Sequence, residues 1–181
     1  MNKWDLIKRY VENKTVLDIG AVGNQLTKNK IGFKIMARAK KYTGIDTQKS
    51  ENKNIVQMNA EKLNLRKKYD VILALDIIEH LSNPGEFLKR CKTHLRKKGV
   101  LLITTPNSLA LTYQIEGRFY LNKEHVNIYQ EKTIKELLRR AGFTSKVVHY
   151  HDTNNLLGKI VSLFLIKDMK RSLFVEAKSS L

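Results

Sequence analysis

The fold is decided by the stretch VLDIGAVGNQL, which runs from Val16 to Leu26. An apolar run that ends in an acid and is followed by Gly20 is typical of a buried strand that leads into a nucleotide-binding turn. A dinucleotide loop needs glycines in a G-x-G-x-x-G pattern, yet this chain has Val22 at the second position and its next glycine at Gly23. The turn also lacks the Gly-Lys-Ser/Thr sequence of a Walker loop. We therefore expect a nucleotide-type turn that does not hold a pyrophosphate.

Short apolar runs alternate with amphipathic stretches along the chain, which predicts an α/β fold with a parallel sheet covered by helices. The fourth and fifth runs are apolar on both faces, as strands buried between two helix layers must be. The five predicted strands are Thr15–Ile19, Tyr42–Asp46, Asn54–Met58, Tyr69–Leu75 and Gly99–Thr105.

Two predicted helices have both of their ends marked in the sequence. The first begins at an Asn83 cap, has Pro84 in its first turn and is expected to stop at Gly99 after three basic residues. The second covers the stretch QEKTIKELLRRAGF and is expected to end at Gly142, because glycine accepts the left-handed backbone that terminates helices.

The last part of the chain contains two more apolar runs, Lys146–Tyr150 and Ser172–Lys178. A short connection between neighbouring strands at the end of an α/β chain suggests an antiparallel pair. Between them, Leu156–Lys167 is mostly apolar, and it is predicted to form either a core helix or a helix at a membrane interface.

The composition is that of a globular protein with a large excess of positive charge. The chain has 181 residues, of which 42% are hydrophobic and 28% charged, so we expect one domain over residues 1–181 rather than a disordered chain. Its formal net charge is +17, which favours anionic partners. Because the basic residues are spread over several segments, a solvated surface, a nucleic-acid footprint and a membrane footprint all remain open.

The cysteine content and the terminal sequence indicate the compartment. Cys91 is the single cysteine, so no disulfide framework exists. The first residues lack the apolar core of a signal peptide, and no run approaches the roughly 20 apolar residues of a transmembrane segment. We expect a cytoplasmic protein.

His149 and His151 would share one face of a strand, but no third ligand has suitable spacing, so no metal site is predicted.

Acidic and amide side chains lie at the ends of four successive predicted strands: Asp18, Asp46, Asn59 with Glu61, and Asp76. The carboxyl ends of parallel strands meet at one edge of a sheet, where ligands bind. A carboxylate would repel a pyrophosphate but suits an ammonium or sulfonium group, and an acid can accept hydrogen bonds from a ribose diol. A nucleoside that carries a positive centre is therefore the predicted ligand.

These residues together resemble a known family. The motifs VLDIGAVGN, YTGIDTQ, MNAEKL and YDVILALDIIEHLSNPGEFLKRCKTHLRKKGVLLITTPN are similar to the ordered motifs of class I S-adenosylmethionine-dependent methyltransferases, especially the branch of ubiquinone-biosynthesis O-methyltransferases. The resemblance extends from about Thr15 to Phe143. It implies a Rossmann-like sheet of seven strands in the order 3-2-1-4-5-7-6, with the last strand antiparallel and helices on both faces. It also implies S-adenosylmethionine as cofactor. We expect a small-molecule acceptor that is methylated at oxygen, with nitrogen as the next candidate atom.

The resemblance assigns a role to each motif residue. The methionine part of the cofactor would be lined by Asp18, Gly20 and Gly23, and the ribose would be held by Asp46 with Thr47. The adenine would lie against Asn59 and Ala60, and the inner edge of the cofactor against Asp76 and Ile77. The family pattern has glycine at positions 20, 22 and 24. Because this chain differs there, we expect Gly23 and Asn24 to turn the backbone one residue late.

Three residues are candidates for a catalytic base that deprotonates the acceptor. His80 and Glu79 follow the fourth strand, and His125 lies in a segment that faces the acceptor in the resembling family. Each also has a structural interpretation, as a hydrogen-bonding partner of neighbouring elements. The acceptor pocket is expected between residues 107 and 129, where Tyr113, Arg118, Phe119, Tyr120 and Tyr129 are available.

Two alternatives to a small-molecule methyltransferase remain at this point. An RNA or protein methyltransferase would use the positive surface for docking, and a contiguous basic face around the mouth of the site would favour it. The second alternative is a non-catalytic methyltransferase-like module that binds a partner. The altered glycine loop is the feature that supports this alternative.

Overall fold

The computed structural model describes residues 2–26, 30–110, 124–150 and 170–180. The described residues form seven strands, and their bounds follow the apolar runs of the sequence. They are β1 (Thr15–Ile19), β2 (Lys41–Asp46), β3 (Ile55–Gln57), β4 (Tyr69–Leu75), β5 (Leu95–Pro106), β6 (Phe143–Tyr150) and β7 (Ser172–Ser179).

Five α-helices and two short 3-10 helices connect these strands within the described residues. The α-helices are α1 (Lys3–Val11), α2 (Ala21–Leu26), α3 (Ile31–Arg38), α4 (Pro84–His94) and α5 (Glu131–Arg140). The 3-10 helices cover Ala60–Lys62 and Ile78–His80, directly after β3 and β4. The predicted helix at 156–167 lies outside the described residues. No described helix has the length and apolar composition needed to cross a bilayer.

The strands form one sheet in the order β3-β2-β1-β4-β5-β7-β6. The pairings from β3 to β5 are parallel, whereas β7 runs antiparallel to both β5 and β6. The expected strand order and the antiparallel ending are therefore confirmed, and so is the Rossmann-like fold class.

Alternation along the central strands creates a core on each face of the sheet. In β4, Ile72 and Ala74 belong to the core cluster that packs under α4 and α5, whereas Val71, Leu73 and Leu75 belong to the cluster under α1 and α3. Successive side chains of a strand point to opposite faces, so a continuous apolar run supplies both layers. This explains why β4 is apolar throughout.

The main departure from the expected elements is the end of α4. This helix stops at His94 instead of Gly99, because Leu95 turns to extended backbone and pairs with Tyr69 of β4. The Leu95 N–H donates to the last carbonyls of the helix. The basic residues that suggested a helix end therefore lie in the exposed first part of β5.

Gly44 in β2 occupies a closely packed position. A Cβ at this position would lie 2.6 Å from the Ala21 Cβ and 2.8 Å from the Ile55 Cγ1. We expect Gly44→Ala to lower the free energy of unfolding by about 1–3 kcal/mol, measured by urea denaturation, because overpacking forces its neighbours to move.

Gly23→Ala is the matched control for this substitution. A Cβ at Gly23 would meet no atom within 4 Å, and the residue is helical. Its stability should stay the same or rise by up to about 1 kcal/mol through helix propensity. Equal stabilities for the two variants would contradict the packing described for β2.

Candidate active site

A cavity of about 620 Å³ opens at the carboxyl ends of β1, β2 and β4. Eight of the nine residues predicted to contact a cofactor line it: Gly20, Gly23, Asp46, Thr47, Asn59, Ala60, Asp76 and Ile77. Among the candidate bases, His80 lines it as well. Lining residues that the sequence analysis did not assign are Ile19, Ile45, Gln48, Met58, Leu81, Ser82 and Glu124. The topology brings these residues together because the strand ends meet at one edge.

The turn after β1 is made by Gly20 alone. Its φ is +75°, and a Cβ at this position would collide with the Ile77 side chain. The Gly20 N–H donates to the Ile45 carbonyl at 2.9 Å, which fixes the turn against β2. The expectation that Gly23 and Asn24 turn the chain one residue late was wrong, because both residues lie within α2. A helix tolerates Val22, so the missing second glycine causes no strain.

Asp18 lies beside the cavity but does not line it. Its carboxylate is fully buried and accepts hydrogen bonds from the Asn24 amide at 2.7 Å and the Tyr42 hydroxyl at 2.8 Å. Burial raises the pKa of Asp18 to about 7, while these two hydrogen bonds act in the opposite direction. The structure therefore places Asp18 as a link between β1, α2 and β2.

Asp46 connects the glycine turn with the end of β2. Its Oδ2 accepts a hydrogen bond from the Val22 N–H at 3.0 Å, and its Oδ1 accepts one from the Gln48 N–H at 2.9 Å. These two bonds fix the carboxylate orientation at the wall of the cavity. A carboxylate oxygen has a second lone pair, so each can still accept a hydrogen bond from a ligand hydroxyl.

The segment after β3 closes the neighbouring wall. The Asn59 Oδ1 accepts the Glu61 N–H at 2.7 Å and so caps the 3-10 helix that begins at Ala60. Glu61 in turn accepts a hydrogen bond from the Asn83 backbone N–H. Ala60 is buried against the core, whereas Asn59 is exposed toward the cavity mouth.

Asp76, directly after β4, adopts a left-handed backbone with φ of +54°. Thr104 of β5 holds it: the Asp76 N–H donates to the Thr104 carbonyl at 2.9 Å, and the Thr104 hydroxyl donates to the Asp76 Oδ1 at 2.7 Å. Lys3 of α1 forms an ion pair with the other carboxylate oxygen. The first helix therefore contributes a cation to the edge of the site, a contact that no local motif signals.

Glu79 is a buried carboxyl group below the cavity. It is 2% exposed and accepts a hydrogen bond from the Thr105 hydroxyl at 3.0 Å. Its backbone carbonyl accepts the N–H groups of Val126 and Asn127, which attaches the segment after residue 123 to the 3-10 helix that follows β4. Burial, with a smaller contribution from the nearby Asp76 charge, raises the pKa of Glu79 to about 8.

His80 and His125 stand together at the same edge. Their rings are in an edge-to-face arrangement with centroids 4.8 Å apart. The His80 Nδ1 lies 3.0 Å from the Glu124 carbonyl oxygen. A carbonyl can only accept, so in neutral His80 the proton is on Nδ1 and Nε2 carries a lone pair. Burial and the neighbouring His80 lower the pKa of His125.

The three candidate bases thus form one cluster. Ligand atoms of Glu79, His80 and His125 all lie within 4.8 Å of one another, so together they could hold a divalent cation. The sequence named all three as candidate bases, but it did not predict that they cluster, because His125 is distant along the chain and the backbone bonds of Val126 and Asn127 to Glu79 bring it there.

The charged side chains that line the cavity are mostly acidic. Asp46, Glu61, Asp76 and Glu124 contribute carboxylates, and no lysine or arginine is among the described lining residues. Such a cavity favours a cationic ligand over a phosphate. The contiguous basic face that a polyanion would require is absent from the described part of this mouth.

Part of the region expected to bind the acceptor lies outside the described residues, namely Tyr113, Arg118, Phe119 and Tyr120. Of the flanking residues, Asn107 is buried and donates from its side-chain amide to the Lys170 carbonyl at 2.9 Å. Tyr129 is buried in the core under α5. His149, in contrast, pairs with Glu131 at 2.7 Å, while His151 is outside the described residues.

Comparison with known proteins identifies related sequences. A family model described as a methyltransferase domain matches residues 5–149. The ubiquinone biosynthesis O-methyltransferase of Rickettsia bellii is 30% identical over 111 residues, which cover 57% of this chain and 46% of that protein. The enzyme of the same name from Caulobacter vibrioides is 29% identical over 113 residues, 53% of this chain and 42% of the relative. The chain spans less than half the length of these relatives.

Solved structures share the fold at low sequence identity. An S-adenosylmethionine-dependent methyltransferase from Archaeoglobus fulgidus has a TM-score of 0.71 at 18% identity, covering 97% of this chain and 91% of that one. The 1,6-didemethyltoxoflavin-N1-methyltransferase of Burkholderia thailandensis, solved with bound 1,6-didemethyltoxoflavin and S-adenosylhomocysteine, has a TM-score of 0.65 at 16% identity, covering 98% of this chain and 76% of that one. At these identities the likeness supports the fold.

The buried Glu79 predicts a specific pH dependence of stability. Its pKa is about 8 in the folded chain against an ordinary 4.5, so between these values the folded chain holds a proton that the unfolded chain has lost. The contribution of Glu79 to stability is therefore complete below pH 4.5 and is lost as the pH rises toward 8. We expect the Tm of Glu79→Gln minus the Tm of wild type to increase by at least roughly 3 °C from pH 5 to pH 9.

Glu136→Gln is the control, measured over the same pH range by circular dichroism. Neighbouring arginines lower the pKa of Glu136 to about 2, so the contribution of Glu136 to stability changes only in acid. The Tm difference between Glu136→Gln and wild type should therefore be constant from pH 5 to pH 9. A constant difference for Glu79→Gln as well would contradict a protonated Glu79 in the folded chain.

Proposed function

The chain belongs to the methyltransferase family, and we propose that it transfers a methyl group from S-adenosylmethionine to an oxygen atom of a small-molecule acceptor. S-adenosylmethionine is the cofactor of this family and fold. The observation that carries the proposal is the acidic lining of the cavity at the carboxyl ends of β1, β2 and β4, which suits a sulfonium cation attached to a nucleoside. In this proposal residues 1–181 act as one domain.

Each cavity wall then receives one part of the cofactor. Asp46 with Thr47 accepts the ribose hydroxyls, and Asn59 with Ala60 lies along the adenine. Gly20 and Gly23 line the part of the cavity that receives the methionine part, and a Cβ at Gly23 would meet no atom within 4 Å. Asp76 and Ile77 form the inner edge. Asp18 supports the site indirectly by holding α2 and Tyr42 in place.

Methyl transfer from a sulfonium is an in-line displacement. The acceptor oxygen forms a bond to the methyl carbon, the carbon–sulfur bond breaks, and its electron pair stays on the sulfur of S-adenosylhomocysteine. The hydroxyl proton must be removed as its oxygen attacks. His80 is the proposed base, since its Nδ1–H donates to the Glu124 carbonyl and its Nε2 lone pair is available. His125 and Glu79 lie next to His80 and form its immediate surroundings.

A small acceptor methylated at oxygen is the alternative that the site supports best. The relatives named above are ubiquinone biosynthesis O-methyltransferases, and the cavity mouth presents carboxylates instead of a basic face. An RNA acceptor would have to approach Asp76 and Glu124 with its phosphates, which like-charge repulsion disfavours. The phenolic hydroxyl is a reasonable first acceptor class, because a neutral histidine can deprotonate it during attack.

Cofactor binding is the first test, by calorimetric titration of the full chain with S-adenosylhomocysteine. We expect Asp46→Asn to weaken binding at least about tenfold, because hydrogen bonds from the ribose to a charged carboxylate are replaced by weaker ones. Glu51→Gln removes the same charge from the connection between β2 and β3 outside the cavity, and it should bind like wild type. A folded wild-type chain that fails to bind either cofactor form would support the non-catalytic module instead.

The role of His80 is tested by turnover of radiolabelled S-adenosylmethionine with a panel of simple dihydroxybenzenes. We expect His80→Gln to lower kcat by about 10²-fold or more, as loss of a general base does, while S-adenosylhomocysteine affinity changes by less than about threefold. Equal loss of turnover and cofactor affinity would show that His80 holds the cofactor and is not the base.

A further inference from the structure

A second cavity, also of about 620 Å³, lies at the opposite edge of the sheet. It is bounded by residues at the amino ends of the central strands: Thr15 of β1, Lys41 of β2 and Tyr69 of β4. The first cavity lies at the carboxyl ends of the same strands. The length of β1, at a rise of about 3.3 Å per residue, separates the two sites by roughly 13 Å. The two cavities are therefore distinct.

The second cavity is strongly basic. Lys40, Lys41, Lys67, Lys68 and Arg96 all line it, and no carboxylate does. Arg96 is bound to Asp70 through two contacts of 2.9 and 3.0 Å. The four lysines form no ion pair with any described residue, so the structure gathers their charges around one space without neutralising them.

The basic residues around this cavity are exposed, whereas its floor is formed by buried or hydrogen-bonded side chains. The Tyr42 hydroxyl is fixed by its 2.8 Å hydrogen bond to the buried Asp18, and Tyr69 is fully buried. Thr43 and Asn54 add polar groups to the lining. Lysine stems can pack along such walls while their ammonium groups remain in solvent at the rim.

We propose that this cavity binds the phosphate groups of a small, soluble, multiply charged ligand such as a di- or triphosphate. Several ammonium groups around one concavity match the high charge density of linked phosphates, and each can donate charge-assisted hydrogen bonds. The volume is in the range of small-molecule pockets. A nucleic-acid strand is favoured less, because the charges surround one hollow instead of following an extended face.

Location separates this site from the methyl-transfer reaction. A phosphate ligand bound here would lie at the amino ends of β1, β2 and β4, where Asp46 and Asp76 are absent. The proposal is therefore independent of the function proposed above, and either can fail alone. It also gives one specific role to part of the chain's positive charge.

The test is calorimetric titration of the full chain with sodium tripolyphosphate at constant ionic strength. We expect wild-type binding to weaken about tenfold or more in the double variant Lys41→Gln/Lys68→Gln, because each lost ammonium removes charge-assisted hydrogen bonds. The matched control, Lys89→Gln/Lys132→Gln, removes the same charge from exposed positions on α4 and α5 and should bind within about twofold of wild type, as distant sites contribute independently. Asp46→Asn should also bind tripolyphosphate normally.

Three outcomes would overturn the proposal: no tripolyphosphate binding by the folded wild-type chain, equal weakening in both lysine double variants, or clearly tighter binding by Asp46→Asn. The first two would leave only the general attraction of a basic surface. The third would place the anion in the other cavity, where the Asp46 carboxylate repels it. A titration with a ten-nucleotide single-stranded RNA distinguishes the source of phosphate. RNA binding that requires Lys41 and Lys68, without tripolyphosphate binding, would contradict a small ligand.

Discussion

The parallel pairing of β1 with β2 on one side and with β4 on the other is the constraint on which the site depends. In this register Asp18 lies beside both Gly44 and Leu73, and Ile19 lies beside Ile45 and Ala74. All three strands therefore end at one edge, and the polar residues that follow them must converge there. The same pairing brings the amino ends together at the other edge, where the lysines collect. One register thus produces an acidic cavity and a basic cavity at opposite ends of a shared core.

A buried polar link stabilises the turn that the acidic cavity needs. Asp18 accepts hydrogen bonds from Asn24 and Tyr42, so helix α2 and strand β2 are both attached to the end of β1. A buried carboxylate is costly, and these two donors offset part of that cost. The Val22 N–H adds a bond to Asp46. The altered glycine pattern is tolerated because, between Gly20 and Leu26, only Gly20 has a left-handed backbone.

Much of the fold was predictable because the apolar runs are long and the cap residues are explicit. The bounds of β1 and β4 match the sequence prediction, and the strand order follows from the resemblance. The end of α4 was not predictable, since pairing of Leu95 with Tyr69 is a long-range contact that overrides the helical pattern. In the site, local motifs located the lining residues, whereas the Lys3–Asp76 ion pair and the clustering of His125 with His80 depend on tertiary contacts. The prediction of a turn at Gly23 and Asn24 was wrong because helix α2 forms immediately after Gly20.

The most direct measurement is a crystal structure of the chain in complex with S-adenosylhomocysteine. We expect the ribose hydroxyls within hydrogen-bond distance of the Asp46 carboxylate, the adenine beside Ala60, and the sulfur facing Asp76 and His80. Density for the ligand in the basic cavity at the amino ends of the strands, or an adenosyl group that does not contact Asp46, would contradict the assignment of the acidic cavity as the methyl-transfer site.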